Sequence, residues 1–184
     1  MAPPARLTPT LVTLAAIELV DTRGFDSLTL SAVAEDLDVA TSALYTHCRG
    51  LDGLRHLVAI AATNNLTATV RNAAIGTAGS NALNAIGLAY RTFALAHPGQ
   101  FASTLRPPES DDDDLADANA SLLDVFTLVY AATGLTSQDS LLAARSIRSA
   151  IHGFLALEHC SGTTEEHPIE FQYLLDALQR GLSA

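Results

Sequence analysis

The sequence predicts an all-α protein with a short N-terminal domain followed by a longer helical domain. Apolar residues recur at helical spacing along nearly the whole chain, and no alternating strand pattern persists. Residues that favour helix ends punctuate these stretches, and a linker of small residues over 75–81 marks the start of a second helical region. We expect a three-helix N-terminal domain over 1–50 and a helical C-terminal domain over 51–184.

The first predicted helix begins at Thr8, whose hydroxyl can cap it, with Pro9 in the first helical position. It ends at Gly24, because glycine readily takes the conformation that closes a helix. Its spacing predicts a buried face made of Leu11, Ala15 and Leu19, with Leu14, Ile17 and Val20 beside it.

Residues 29–54 predict two short helices joined by a tight turn, and then the start of a longer helix. Thr29 can cap the first short helix, and Asp38 stands in the turn, where aspartate tolerates a positive φ. Thr41 is expected to cap the second short helix, because Ala40 before it has no capping group. Apolar residues at Leu30, Val33, Leu37, Val39 and Leu44 would hold the two helices around one small core, as in a helix-turn-helix.

The sequence of the C-terminal domain predicts further helices, which are separated by loops of small or charged residues. The expected spans are 52–72, 82–97, 113–133, 138–159 and 168–181, with a short helical piece reaching Leu105. The helix over 82–97 is amphipathic, with an apolar face of Leu83, Ile86, Tyr90, Phe93 and Leu95.

Composition excludes several classes of protein. Hydrophobic residues make up 48% and charged residues 16%, which favours a large buried interface such as that of a dimer. No run of about 18 apolar residues predicts a membrane span, and the N-terminus lacks the apolar stretch of a secretory signal. Two cysteines, Cys48 and Cys160, are too few for a disulfide framework, which favours reduced thiols and a cytoplasmic protein.

The charge balance opposes bulk binding to nucleic acid. The formal net charge is −10, and the segment up to residue 57 holds four arginines against seven acidic residues, a formal −3. Any contact with DNA would therefore depend on specific local groups.

The second short helix of residues 29–54 carries the groups that a DNA-reading helix needs. Its slim start can approach base edges, and the Thr41 and Ser42 hydroxyls can meet bases or phosphates. Tyr45 offers a phenol and an aromatic edge, and His47 and Arg49 can meet the backbone, as can the helix start at Thr29. An ordinary helical corner with no DNA contact explains the same spacing.

The segment resembles the N-terminal domain of the tetracycline-repressor (TetR) family of transcriptional regulators. The matching residues are Gly24-Phe25, Leu28-Thr29, Val33-Ala34, Val39, Leu44-Tyr45-Thr46-His47 and Leu54. The resemblance implies that Thr29, Thr41, Ser42, Tyr45 and His47 contact DNA. The chain departs from the family pattern at Asp38, Ala40, Cys48 and Leu51, and Leu51 replaces a lysine that meets phosphate.

Residues 144–160 resemble the penultimate helix of family members with the WHG type of C-terminal domain. His152-Gly153 and Leu157-Glu158 match that pattern, as does the HPGQF run over 97–101, whereas the usual tryptophan is absent. The resemblance implies a homodimer held by the last two helices of each subunit, and internal core packing is the alternative. The candidate dimer residues are Ile147, Ala150, Ile151, Phe154, Leu174 and Leu178.

A ligand pocket between the C-terminal helices is the third expectation. The family resemblance implies a small, largely apolar effector, which suits a lining with few charges. The candidate lining residues are Tyr90, Phe93, Phe101, Leu105, Phe126, Tyr130, Ile151 and His152. Simple core packing explains the same aromatic stripe, and His152 fits a hydrogen-bonded core histidine as well as a ligand contact.

The sequence implies no cofactor, no metal and no enzymatic activity. Glu158, His159, Cys160 and His167 fit no common zinc spacing, and no nucleophile–base–acid set or phosphate-binding loop stands out. Two functions remain open. One is a dimeric repressor that binds a near-palindromic double-stranded operator and is released by an effector. The other is a dimer of the same fold that binds a ligand or a protein and has weak or lost DNA binding.

Overall fold

The computed structural model describes residues 7–107, 112–131, 135–160 and 167–182. Within these ranges it contains helices and no strand, as the sequence predicts. The helices in chain order are α1 Pro9–Arg23, α2 Leu30–Asp36, α3 Thr41–Leu44, α4 Gly50–Ala74, α5 Gly79–Ala96, α6 Pro98–Ser103, α7 Asp113–Ala131, α8 Ser137–Cys160 and α9 Pro168–Leu182. A 3-10 turn, Phe25–Ser27, joins α1 to α2.

Packing divides the chain into two compact units. Unit 1 comprises the residues up to 63 together with 97–115, and unit 2 comprises 64–96 and the residues from 116 onward. Unit 1 therefore takes in the first half of α4 and all of α6, which the sequence assigned to the second domain. The physical reason is that α6 packs directly against α1.

Local capping residues start and stop the N-terminal helices as predicted. The Thr8 hydroxyl accepts a hydrogen bond from the Leu11 amide at 3.2 Å, and Gly24 closes α1 with φ 83°. Thr29 caps α2 in the same way, accepting from the Ala32 amide at 3.1 Å. Asp38 takes the positive φ of the turn at 51°, so this non-glycine residue supports the tight corner between α2 and α3.

Three local predictions were wrong. Ala40, not Thr41, occupies the N-cap of α3, without a side-chain cap, because the helix begins one residue earlier than a Thr41 cap requires. Leu14 is 58% exposed on α1, where the buried residues are Val12, Ala16, Leu19 and Val20. Leu95 is 49% exposed near the end of α5. The buried face of α1 is rotated relative to the prediction, because this helix is apolar on several sides and packing selects the face that is buried. The other predicted apolar residues of α5 are buried as expected: Leu83, Ile86, Tyr90 and Phe93.

Unit 1 is built around one core beneath the helix-turn-helix. Leu28, Val33, Leu44, Leu54 and Val58 are fully buried there, together with the inner face of α1. Because α2, α3 and the start of α4 all contribute, the two short helices are held by tertiary packing. Helices this short are marginal alone.

Unit 2 is a bundle in which α5 lies against both α8 and α9. The approach of α5 to α9 is close at Gly87, where an added Cβ would lie 2.5 Å from a methyl of Leu175. Large side chains fill the interior, including Ile86, Phe126 and Phe171. The end of α7 predicted at residue 133 lies outside the described residues.

Candidate DNA-binding surface and C-terminal core

The segment from α3 to the start of α4 alternates between anchoring and exposed side chains. Leu44 and Cys48 are buried, and the Cys48 thiol donates to the Leu44 carbonyl at 3.3 Å. Tyr45, which follows Leu44, is 59% exposed, and Arg49, which follows Cys48, is also exposed. Ser42 lies on the exposed surface as well. This spacing directs Tyr45 and Arg49 outward from a segment whose other side is fixed in the core.

The predicted DNA contacts differ in how much surface they present. Thr41 and His47 are half-buried. Thr29 is exposed, and because its oxygen accepts the Ala32 amide, its hydroxyl hydrogen remains to be donated. Exposure at Thr29, Ser42 and Tyr45 is compatible with contact to a large partner.

The charge around α3 differs from the net negative charge of the whole chain. Residues 39–51 contain no acidic residue, although Asp38 and Asp52 flank them. Arg23 pairs with Asp36 at 3.1 Å. Among the residues that the structure describes, Arg49 makes no ion pair, so its full charge is available at this surface.

The departures from the family pattern have structural explanations. Leu51 is half-buried and packs against the unit 1 core, so this position supports packing and offers no charge to phosphate. Cys48 fills a buried position beneath α3, and burial raises the pKa of its thiol. Among the described residues Cys48 is a free, protonated core thiol.

A group of hydrogen-bonded polar side chains crosses the core of unit 2. The Tyr90 hydroxyl lies 2.9 Å from His152 Nδ1, and Arg148 also hydrogen-bonds to Tyr90. Arg148 in turn donates to the Asn119 side-chain oxygen at 3.1 Å. Because a guanidinium only donates, the tyrosine oxygen accepts from Arg148, and the direction of its bond with His152 Nδ1 depends on the tautomer of the imidazole.

Two side chains of this hydrogen-bonded group, Tyr90 and His152, are held neutral. Burial raises the pKa of Tyr90 to about 12, against the opposing influence of Arg148. Burial, reinforced by the Arg148 charge, lowers the pKa of His152 to about 4. His152 is thus buried, neutral and hydrogen-bonded within unit 2.

The predicted ligand-binding residues do not all belong to one unit. Tyr90 and Phe126 meet at 6.3 Å between ring centroids, and Tyr90 and His152 meet edge to face at 6.1 Å. Phe93 and Ile151 are buried in the same unit. By contrast, Phe101 is buried in unit 1, and Leu105, also assigned to unit 1, is 61% exposed. The side chain of Tyr130 lies outside the described residues.

Sequence reasoning missed a second polar cluster, which joins three helices of unit 2. Arg91 on α5 makes two hydrogen bonds to the Glu158 carboxylate on α8, at 2.7 and 3.3 Å. The His167 amide, just before α9, donates to the same carboxylate at 3.0 Å. Arg91 also lies over the Phe171 ring at 5.8 Å. The Leu157-Glu158 pair was the only signal of this cluster in the sequence.

The predicted dimer residues have unequal exposure in the single chain. Ile147 and Ile151 are buried within the subunit, whereas Ala150, Phe154, Leu174 and Leu178 are half-buried. Other residues on α8 are exposed and share one helical face: Leu142, Ser146, Ser149, Gly153 and Leu157. On α9, Ile169 and Tyr173 are 80% and 70% exposed.

The described part of the chain contains neither a cluster that could bind a metal nor a membrane-spanning helix. No group of three or more potential metal-ligating side chains comes together there. No described helix is long and apolar enough to span a membrane.

A helix-turn-helix domain and a separate helical unit in one chain define the class of DNA-binding regulators. A family model described as "Bacterial regulatory proteins, tetR family" matches residues 12–55. A second, "Tetracyclin repressor-like, C-terminal domain", matches residues 83–178. The uncharacterised HTH-type transcriptional regulator Rv0681 of Mycobacterium tuberculosis is 31% identical over 159 residues, covering 86% of this chain and 73% of that protein. The chain belongs to the TetR family of transcriptional regulators.

Solved structures share the fold over nearly the whole chain. A TetR variant of Acinetobacter baumannii in complex with minocycline is 23% identical with a TM-score of 0.75, covering 97% of each chain. BioQ with its natural double-stranded DNA operator is 21% identical with a TM-score of 0.69, covering 95% of this chain and 99% of that one.

Proposed function

We propose that the protein is a repressor that binds a near-palindromic operator as a dimer and is released by a small, largely apolar effector. The observation that carries the proposal is the exposure of Tyr45 beside Arg49, which makes no ion pair with any described residue. Both lie on a segment with no acidic residue, in a chain of formal charge −10. A surface of this kind favours a polyanion locally against the charge of the whole protein.

In this proposal α3 enters the major groove. Thr41, Ser42 and Tyr45 meet base edges or phosphates, and His47, Arg49 and Thr29 bind the backbone. Two copies of α3 would enter successive major grooves about 34–36 Å apart. BioQ, which shares the fold, has been solved with a double-stranded DNA operator, and this supports the proposal.

Dimerisation through α8 and α9 is supported by an exposed stripe of small and apolar side chains. Gly153 lies in the middle of α8, and an added Cβ there would meet nothing within 4 Å in the same chain. A mid-helix glycine costs roughly 1 kcal/mol relative to alanine, and its small size permits the close approach of another helix. Leu142 and Leu157 extend the same face, with half-buried Ala150 and Phe154 at its edge.

For the effector, we propose a site in the C-terminal region that involves the predicted aromatic residues. Tyr90, Phe93, Phe126, Ile151 and His152 would form its wall in unit 2. An effector would act by binding better to a conformation in which the two α3 helices no longer match the operator. The minocycline complex of a TetR protein with this fold supports a small-molecule effector.

The test is fluorescence anisotropy with DNA from upstream of the protein's own gene, repeated over a salt series. We expect saturable binding at low salt, and a loss of about tenfold in affinity for Tyr45→Ala, because a good base or phosphate contact contributes roughly 1–3 kcal/mol. Sedimentation should show that the dimer is unchanged. Leu14→Ala is the matched control, because Leu14 is 58% exposed in the same unit and lies on α1.

A second candidate function is a ligand-binding or protein-interaction dimer with weak or lost DNA binding. The half-buried Leu51 favours this second function, because it replaces the lysine that contacts phosphate in the family pattern. Each such contact contributes about 0.9 to the slope of log affinity against log salt. Absence of saturable binding to the upstream DNA even at low salt would favour this second candidate over the repressor.

A further inference from the structure

A cleft opens on unit 2 where α4 ends, α5 begins and the second half of α7 passes. Its volume is about 280 Å³. The lining is made of small and apolar side chains with one basic residue: Arg71, Ala74, Ile75, Thr77, Ala78, Gly79, Ala82, Val125, Leu128 and Val129. Of the predicted ligand-binding residues whose side chains the structure describes, none lines this cleft, so it is separate from them.

Two side chains of the cleft leave a large apolar surface open to water. Ile75 is 75% exposed and Leu128 is 71% exposed. The small residues Ala74, Ala78 and Ala82 give the cleft its depth, because larger side chains there would fill it. At Gly79, with φ 53°, the chain turns into α5, and an added Cβ would meet nothing within 4 Å. An apolar segment of a ligand would cover the exposed surface of Ile75 and Leu128.

The polar groups of the cleft favour an anion. Arg71 is exposed and makes no hydrogen bond or ion pair with the described residues. The Thr77 hydroxyl already donates to the Ala74 carbonyl at 2.9 Å. Among the residues that the structure describes, no acidic one lines the cleft, in a chain that has twice as many acidic as basic residues. Asp124 is exposed one turn before Leu128 on α7 but is not part of the lining.

We propose that this cleft binds a small carboxylic acid with an apolar tail. The carboxylate would pair with the Arg71 guanidinium, and the tail would lie between Ile75 and Leu128. A guanidinium matches a carboxylate with two parallel hydrogen bonds, which fixes the orientation of the acid. The volume lies near the lower end of ligand sites, about 300–1,000 Å³, so the tail is of medium length.

The test is isothermal titration of the full chain with octanoate, with octanol and octylamine as neutral and cationic analogues of the same tail. We expect octanoate to bind most tightly. Arg71→Gln should weaken octanoate about fivefold, as expected for an exposed ion pair, and leave octanol unchanged. Leu128→Glu should weaken octanoate at least tenfold, because it removes apolar surface and adds a like charge.

Matched controls are Arg145→Gln and Leu88→Glu, two exposed positions of unit 2 outside the cleft. Both should bind octanoate as the unsubstituted protein does. The site is wrong if octanoate does not bind, or if all four variants bind it equally. The ligand class is wrong if octanol binds as tightly as octanoate. The measurement contains no DNA, so its outcome is independent of the proposed regulatory function.

Discussion

Glu158 shows how one carboxylate can join several helices. It accepts hydrogen bonds from Arg91 on α5 and from the His167 amide at the start of α9, while its own backbone belongs to α8. The side chains of Arg91 and Glu158 are only 11% and 8% exposed. Burial opposes the ionisation of Glu158, but these hydrogen bonds and charges outweigh it and lower the pKa of the carboxyl.

We predict that Glu158→Gln lowers the free energy of unfolding by about 3 kcal/mol at neutral pH, because it removes the charged partner from a buried ion pair with Arg91. A carboxyl whose pKa is lowered by folding stabilises the folded protein above the pKa of the unfolded state, which is near 4.5 for Glu158. This stabilisation is lost as the pH falls through the pKa of the folded state. Urea denaturation of both proteins should therefore differ most at neutral pH and converge in acid. Glu170→Gln, at an exposed position of α9, is the control. A difference that persists undiminished in acid would contradict this role.

At the scale of elements, α6 is fastened to α1 within unit 1. Asp21 on α1 accepts from the Gln100 amide at 3.1 Å, from the Gln100 side chain at 2.7 Å, and lies 2.8 Å from His97 Nδ1. Gly99 lies directly over α1, where an added Cβ would clash with the Val20 carbonyl. Because the obstructing atom is backbone, it has no rotamer by which to move aside.

We predict that Gly99→Ala separates α6 from α1 and destabilises unit 1, with a loss of about 2–3 kcal/mol in unfolding free energy, as is typical of overpacking. The measurement is the urea midpoint, together with amide hydrogen exchange of α1. Gly181→Ala is the control, because an added Cβ at Gly181 meets nothing within 4 Å. Equal stability of Gly99→Ala and the unsubstituted protein would show that α6 packs elsewhere.

At the scale of the whole molecule, a formal charge of −10 makes the proposed operator binding dependent on two copies of a small favourable surface. One subunit presents few basic groups around α3. A dimer doubles these contacts on one DNA molecule, and the second contact is gained at a high effective concentration.

We predict that Gly153→Arg converts the proposed dimer to a monomer while its helix content is kept or slightly raised. A Cβ added at residue 153 would meet no described atom within 4 Å outside its own turn of helix, so the new side chain would mainly disturb contacts with a partner. Arginine also has a higher helix propensity than glycine. Sedimentation velocity and circular dichroism provide the two readouts, with Ala120→Arg on the exposed side of α7 as the control. An unchanged dimer would exclude this face of α8.

Short-range features of the chain could be predicted, and pairings across long separations could not. The caps at Thr8 and Thr29 depend on residues within one turn, so local chemistry determines them. The pairing of Asp21 with Gln100 joins positions 79 residues apart and leaves no periodic trace. The ligand-binding prediction grouped Phe101 with Tyr90 for the same reason, because both are aromatic residues at helical spacing but belong to different units.

The sequence by itself determined the helices, the corner at Asp38 and the family, because capping, helical spacing and a contiguous motif act over a few residues. Only the tertiary structure decided which face of α1 is buried, as with Leu14, and which distant polar groups meet, as with Arg91 and Glu158. It also decided where apolar surface stays open, at the cleft beside Arg71. The physical reason is that a helix with several apolar sides has no preferred face until its neighbours cover one of them.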